Sequence, residues 1–199
     1  MKKLALCITM LLLIIGTAGC GNEAKVLTAE KVITNTILAK ANGVLQVATI
    51  EDFDKTYYNL EELKGYITRE IGDYNSKAGD NKVVMDDIRL KGGKAIMIVT
   101  YAGMEQYCAF NKVTAAYFNG GVGEISLDLP STLVAEKDGS LASTQEIIQN
   151  NKYKVLIMYE PYHIQVEGKI AYYSENAKLV DKNELQGADE GMTIAVFKP

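Results

Sequence analysis

Few side chains in this chain could do chemistry. His163 is the only histidine, in Tyr162-His163-Ile164-Gln165-Val166 just after Glu160-Pro161, and a base at that place would take Glu160 as its orienting partner. An exposed or hydrogen-bonded strand residue is the competing reading. A single histidine excludes His-rich metal sites and the helical zincin pair. Gly-x-Ser-x-Gly and Ser-x-x-Lys are both absent, so no activated serine stands out. Cys108 falls on an apolar helical face, where a thiol behaves as a small hydrophobe. Two acidic groups, Glu51-Asp52 with Asp54 and Asp86-Asp87, offer carboxylates for acid/base work or Ca²⁺, or else charges that keep strand edges soluble. Asp73 to Gly79 fails as a calcium loop, because its Gly comes one place late, Lys77 takes a ligand place and Val84 stands where the closing Glu belongs. Gly120-Gly121-Val122-Gly123 reads as a loop and not a dinucleotide fingerprint. No catalytic residue, metal or cofactor is expected.

Tyrosine is the one excess, with twelve Tyr and no Trp. Tyr153, Tyr159, Tyr162, Tyr172 and Tyr173 crowd into one β-rich stretch. With a period of two, Tyr153 and Tyr159 share a face and Tyr172 and Tyr173 point oppositely. Rings with polar tips can bind a glycan or a peptide at little entropic cost. Cross-strand packing accounts for the same residues, and both readings stay open.

The elements that must position them follow from local patterns. Asn42-Gly43 sits between β-rich runs within Ile37 to Ile50, which predicts a hairpin with a type I′ turn. Asn59 caps a helix whose Leu60, Leu63, Ile67, Ile71 and Tyr74 form one stripe, with Gly79 at its end. A second hairpin runs through Lys91-Gly92-Gly93-Lys94, and Ala95 to Val99 is apolar on both faces, as a strand covered on two sides must be. A short helix is predicted from Met104 to about Val113. Beyond residue 130 the chain changes to short runs and turn signals, with strands predicted at 153–159, 163–166, 169–173, 178–180 and 192–198 and a helical turn or two at 144–149. The fold class is therefore α+β, an antiparallel sheet of hairpins with one or two packed helices, followed by a small β-rich C-terminal module. We divide the body into a hairpin-helix domain at 31–130 and a β-rich module at 131–199. The alternative is one domain whose sheet continues into the C-terminal third.

The N-terminus supplies an address. Lys2-Lys3, an apolar run from Leu4 to Ile15 and Gly16-Thr17-Ala18-Gly19-Cys20 have the layout of an export signal, too short to span a bilayer as a stable helix. Thr17-Ala18-Gly19-Cys20 resembles the lipobox of bacterial lipoproteins, with Thr17 where Leu is usual. The resemblance implies cleavage of a signal peptide at 1–19, diacylglycerol on the Cys20 sulfur and acylation, as with palmitate, of the new amino group. Residues 20–30 then read as a lipidated tether. Tyr57-Tyr58-Asn59-Leu60-Glu61-Glu62-Leu63 and Glu70-Ile71-Gly72-Asp73-Tyr74-Asn75 are similar to segments of small Gram-positive lipoproteins, a likeness that brings no activity with it.

Composition agrees with an exported body. Loss of residues 1–19 removes two lysines and no acid, making the formal charge of −4 more negative by two. That balance argues against nucleic acid and against a second, electrostatic hold on anionic lipid. Cys7 leaves with the signal and Cys20 carries lipid, so Cys108 has no intramolecular partner and stability must come from packing. The expected protein is attached to the cell membrane through Cys20 on the extracytoplasmic side. Its expected role is non-enzymatic binding or scaffolding, with a glycan, peptide or envelope protein as partner. The alternatives are an envelope hydrolase using acidic residues or the substrate-binding component of an importer.

Overall fold

The computed structural model describes residues 25–121 and 126–199. Residues 1–24, with the expected signal peptide and Cys20, and residues 122–125 lie outside the described residues.

The first hairpin joins β1 (Thr36–Ala39) to β2 (Leu45–Asp52). Gly43 has φ +87° but Asn42 is not at positive φ, so the turn is not type I′. Gly43 N–H donates to the Lys40 carbonyl (3.0 Å) and Val44 N–H to Asn42 Oδ1 (3.1 Å), an arrangement in which one glycine closes a three-residue loop. Helix α1 (Leu60–Ala78) starts as its cap predicts, Asn59 Oδ1 accepting from Glu61 N–H (2.9 Å) and Glu62 N–H (3.2 Å). Its stripe places Ile67, Ile71 and Tyr74 against the core. The second hairpin pairs β3 (Val83–Lys91) with β4 (Lys94–Tyr101). Here Gly92 and Gly93 supply both positive φ angles, 59° and 75°, which is the type I′ requirement. Helix α2 (Met104–Asn111) ends at Lys112 and β5 (Ala115–Phe118) follows.

The C-terminal third consists of β6 (Thr132–Ala135), β7 (Leu141–Ser143), α3 (Thr144–Ile148), β8 (Lys154–Met158), β9 (His163–Val166), β10 (Lys169–Tyr173), β11 (Lys178–Asp181), β12 (Glu184–Gln186) and β13 (Thr193–Lys198). The predicted strands and helical turn all appear, and β5, β6, β7 and β12 are additions. The fold is α+β. Its described strands form one sheet ordered β11-β12-β9-β1-β2-β4-β3 and another ordered β5-β8-β13-β10-β6-β7, both mainly antiparallel. β1 and β9 pair in parallel, with Ile37 opposite Ile164.

That pairing and the β5–β8 pairing carry both sheets across residue 130, so the boundary drawn there separates no two cores. The alternative, a sheet continuing into the C-terminal third, describes the fold. A main core joins the facing sides of the sheets, Ile37, Leu45, Val47 and Val99 from one and Leu156, Met158, Ala195 and Phe197 from the other. A second core lies beneath α3 with Leu133, Val155, Ile157, Ile194 and Val196. A third lies on the outer face of the first sheet, where Leu27, Ala29 and Val32 pack on Leu38, Ala48, Ile96 and Ile98. β4 is thus covered on both sides, as its composition predicts.

The third core corrects the tether. Leu27 and Ala29 are buried, and Leu27 N–H donates to Gln46 Oε1 (2.6 Å). Gln46 in turn donates to Asp86 Oδ2 (2.7 Å), which also accepts from Thr100 Oγ1 (2.6 Å). Among the described residues the packed body therefore begins at about Leu27, and the cores they form are built from residues 27 onward. The two βαβ lobes expected of an importer's receptor are not this fold. None of the described helices is long and apolar enough to cross a membrane.

Candidate functional site

Alternation along β10 decides which tyrosines meet. Tyr172 joins the second core and Tyr173 the main one, so they point oppositely as predicted. Tyr153, just before β8, reaches the same side as Tyr172 because β13 lies between β8 and β10. Their rings are perpendicular at 88°, with centroids 5.6 Å apart, a favoured edge-to-face geometry. Lys198, at the end of β13, places Nζ 5.2 Å from the Tyr153 centroid, a cation–π contact. Tyr153 is buried and its face is occupied, whereas Tyr172 is half-buried and offers surface. The Tyr172 phenol is held above its ordinary value, first by its hydrogen bond to Tyr153 and then by burial, so it remains a donor at neutral pH. The pair borders a cleft of about 470 Å³. Lys137, Lys169 and Lys198 stand around it with Glu136, Asp138 and Ser140. Ser140 occupies Asp138 through its hydroxyl (2.6 Å) and N–H (3.1 Å).

The remaining three candidates lie elsewhere. Tyr159 is exposed, beyond the end of β8. Tyr162 and Tyr173 pack against the main core, where Tyr101 and Tyr107 make a perpendicular pair at 5.3 Å. Burial raises the Tyr107 phenol far above its usual range and Tyr101 to about 12. These rings serve packing.

A larger groove of about 1530 Å³ runs along the outer face of the first sheet, between the N-terminal segment and the β9, β12 and β11 strands. His163 lines it, but its partner is Glu184 and not Glu160. Glu184 sits diagonally across the β9–β12 ladder, where Gln186 faces His163 and Glu184 faces Gln165. His163 Nε2 lies 3.1 Å from Glu184 Oε2, and Lys25 Nζ donates to Glu184 Oε1 at 2.9 Å. Burial pushes the Glu184 carboxyl up, yet the hydrogen bonds from Lys25 and His163 outweigh it and hold the group below its ordinary value. A carboxylate whose two oxygens are already engaged by Lys25 and His163 is a poor general base.

The other chemistry-bearing groups are engaged in structure. Burial raises the Cys108 thiol, whose Sγ donates to the Ala115 carbonyl at 3.4 Å. A β-bulge falls at Asp86, between Met85 and Asp87; Asp86 holds Gln46 and Thr100 while Asp87 pairs with Arg89. Asp52 pairs with Lys94 (2.6 Å) and Asp54 with Lys55 (3.1 Å). Among the described residues no group of three or more His, Cys, Asp or Glu is placed to hold a metal ion.

Lys25, Lys169, Lys198 and Glu184 are the site residues that sequence reasoning missed. They are isolated charges without periodicity, and strand order alone brings them to these surfaces. Comparison of the chain with protein-family models, with curated proteins and with solved structures finds no match in any of the three.

Proposed function

We propose that this protein is a lipid-anchored binding module of the bacterial cell envelope. It is held through Cys20 and takes an acidic glycan at the Tyr153–Tyr172 cleft. The observation that carries the binding half is a partly open tyrosine beside three lysines in one depression. The apolar face of a sugar ring stacks on an aromatic ring, while lysine ammoniums pair with its carboxylate or phosphate groups. Three lysines face two carboxylates there, Glu136 and Asp138, which leaves a net positive charge toward a ligand. The anchoring half is supported by Thr17-Ala18-Gly19-Cys20 after its apolar run.

Each half has its own test. Tyr172→Ala should lower affinity for acidic envelope glycans about tenfold with the melting temperature nearly unchanged, since the ring is not fully buried. Equal binding by wild type and variant would remove the cleft from the proposal. Cys20→Ser should abolish incorporation of labelled fatty acid and release the chain from the membrane fraction. Unchanged labelling would overturn the anchor.

A further inference from the structure

We propose that the groove on the outer face of the first sheet is a second membrane contact, a basic and apolar surface that lies on anionic lipid headgroups. Five lysines line it, Lys25, Lys31, Lys169, Lys182 and Lys198. Against them stand Glu167 and Glu184. Glu184 is already paired with Lys25 and His163, and Glu167 accepts from Ala41 N–H at 2.8 Å. Lys31, Lys169, Lys182 and Lys198 are exposed and, among the described residues, pair with no carboxylate, although Lys198 Nζ rests over the Tyr153 ring.

Apolar groups complete the surface. Ile33 is 91% exposed, Val180 53% and Val26 51%, and all three line the same groove. Lysines interleaved with exposed aliphatic side chains match the interface of an anionic bilayer, where ammoniums meet phosphates and alkyl groups enter the headgroup boundary. A chain with net charge −4 that gathers lysine on one face presents an oriented field. The acidic remainder is repelled by the same lipid that attracts this face.

The position of the anchor identifies the occupant, and here the inference rests on the reading of Cys20 as the lipid site. Lys25 is five residues from Cys20, a span of at most about 17 Å when fully extended. The docking of Leu27, Ala29 and Val32 fixes the direction in which the chain leaves the body, and that exit lies at the groove. A lipid on Cys20 therefore delivers this face, and not the opposite one beneath α3, to the bilayer. A basic patch beside the Cys20 lipid adds a second kind of signal to the attachment.

The test uses the chain without residues 1–20, which keeps every residue of the described cores, and vesicles of phosphatidylcholine with or without phosphatidylglycerol. The body should float with phosphatidylglycerol vesicles at low salt, separate from them at high salt, and stay with the soluble fraction on pure phosphatidylcholine. Lys31→Glu with Lys182→Glu should lower the binding at least about tenfold, and Ile33→Ser severalfold, with circular dichroism unchanged. Failure to float with phosphatidylglycerol, equal flotation with both vesicle types, or undiminished binding by the charge-reversed body would overturn the proposal. Because this body carries no lipid, its behaviour is independent of Cys20 labelling, so the two readings can fail separately. Lys31 and Lys182 do not border the tyrosine cleft, so glycan binding by the charge-reversed variant should be retained.

Discussion

Phe197→Ala is expected to lower the free energy of unfolding by about 3–5 kcal/mol, a large part of the roughly 5–15 kcal/mol of a typical domain. Phe197 lies near the end of β13 with no exposed surface. Its flanking strands place Lys154 and Ile170 opposite it. The ring points into the core shared by the two sheets and meets Tyr117 at 6.3 Å and 62°. Tyr117 is itself tied to the first hairpin, its hydroxyl donating to the Lys40 carbonyl at 3.0 Å. Sheets whose ladders are hydrogen-bonded on both sides relax little around a void, so most of the cavity penalty should persist. Urea unfolding should show an earlier midpoint with an unchanged slope. Val180→Ala, at an exposed site, should change stability by less than about 0.5 kcal/mol. A loss below about 1 kcal/mol for Phe197→Ala would mean that the two sheets do not share this core.

How legible such features are depends on sequence separation. The Asn59 cap, the α1 stripe and the Gly92-Gly93 hairpin rest on residues a few places apart, and each appears where its local chemistry puts it. Asn42-Gly43 marks a hairpin too, but the dipeptide alone does not distinguish a two-residue turn from a three-residue loop. The difference lies in Asn42 keeping a negative φ while its side chain caps Val44. By contrast, the parallel pairing of Thr36 with His163 joins positions with no local signal for each other. That pairing merges the proposed domains. Strands of three or four residues such as β7 and β12 are too short to display a period.

The site follows the same division. Opposite orientation of Tyr172 and Tyr173 is a local consequence of the pleat and was readable. The meeting of Tyr153 with Tyr172 depends on β13 entering between β8 and β10, which no spacing announces. His163 was visible as a lone histidine, but Glu160 was its neighbour in sequence and Glu184 is its neighbour in space. Net charge is likewise a sum over the chain, silent about the lysines that the N-terminal segment, β10, the β11–β12 turn and β13 bring to one groove. Leu27, Ala29 and Val32 lack a helical or strand period and resemble a tether until the face they cover is known.

Gly168→Ala should be comparably destabilising, by about 3 kcal/mol or more, for a reason that lies in the backbone. Gly168 has φ +145°, and a Cβ there would sit 2.0 Å from the Lys198 carbonyl oxygen and 2.9 Å from Pro199 Cα. Positive φ at a residue with a side chain costs about 1–3 kcal/mol, and forcing atoms into filled space adds about 1–3 kcal/mol. No flexible side chain can yield, since the opposing atoms are main chain. The end of β13 must shift, and with it Lys198, which borders both the tyrosine cleft and the basic groove. Gly139→Ala separates the two contributions, because Gly139 has φ +72° with nothing within 4 Å of the added carbon. It should lose only the backbone share. Thermal unfolding of both variants checks the difference, and nuclear magnetic resonance of the Lys198 side chain over the Tyr153 ring checks the displacement. If Gly168→Ala melts with Gly139→Ala and leaves the Lys198 resonances in place, the β9–β10 turn does not abut the C-terminal strand, and the lip joining the two surfaces is wrongly drawn.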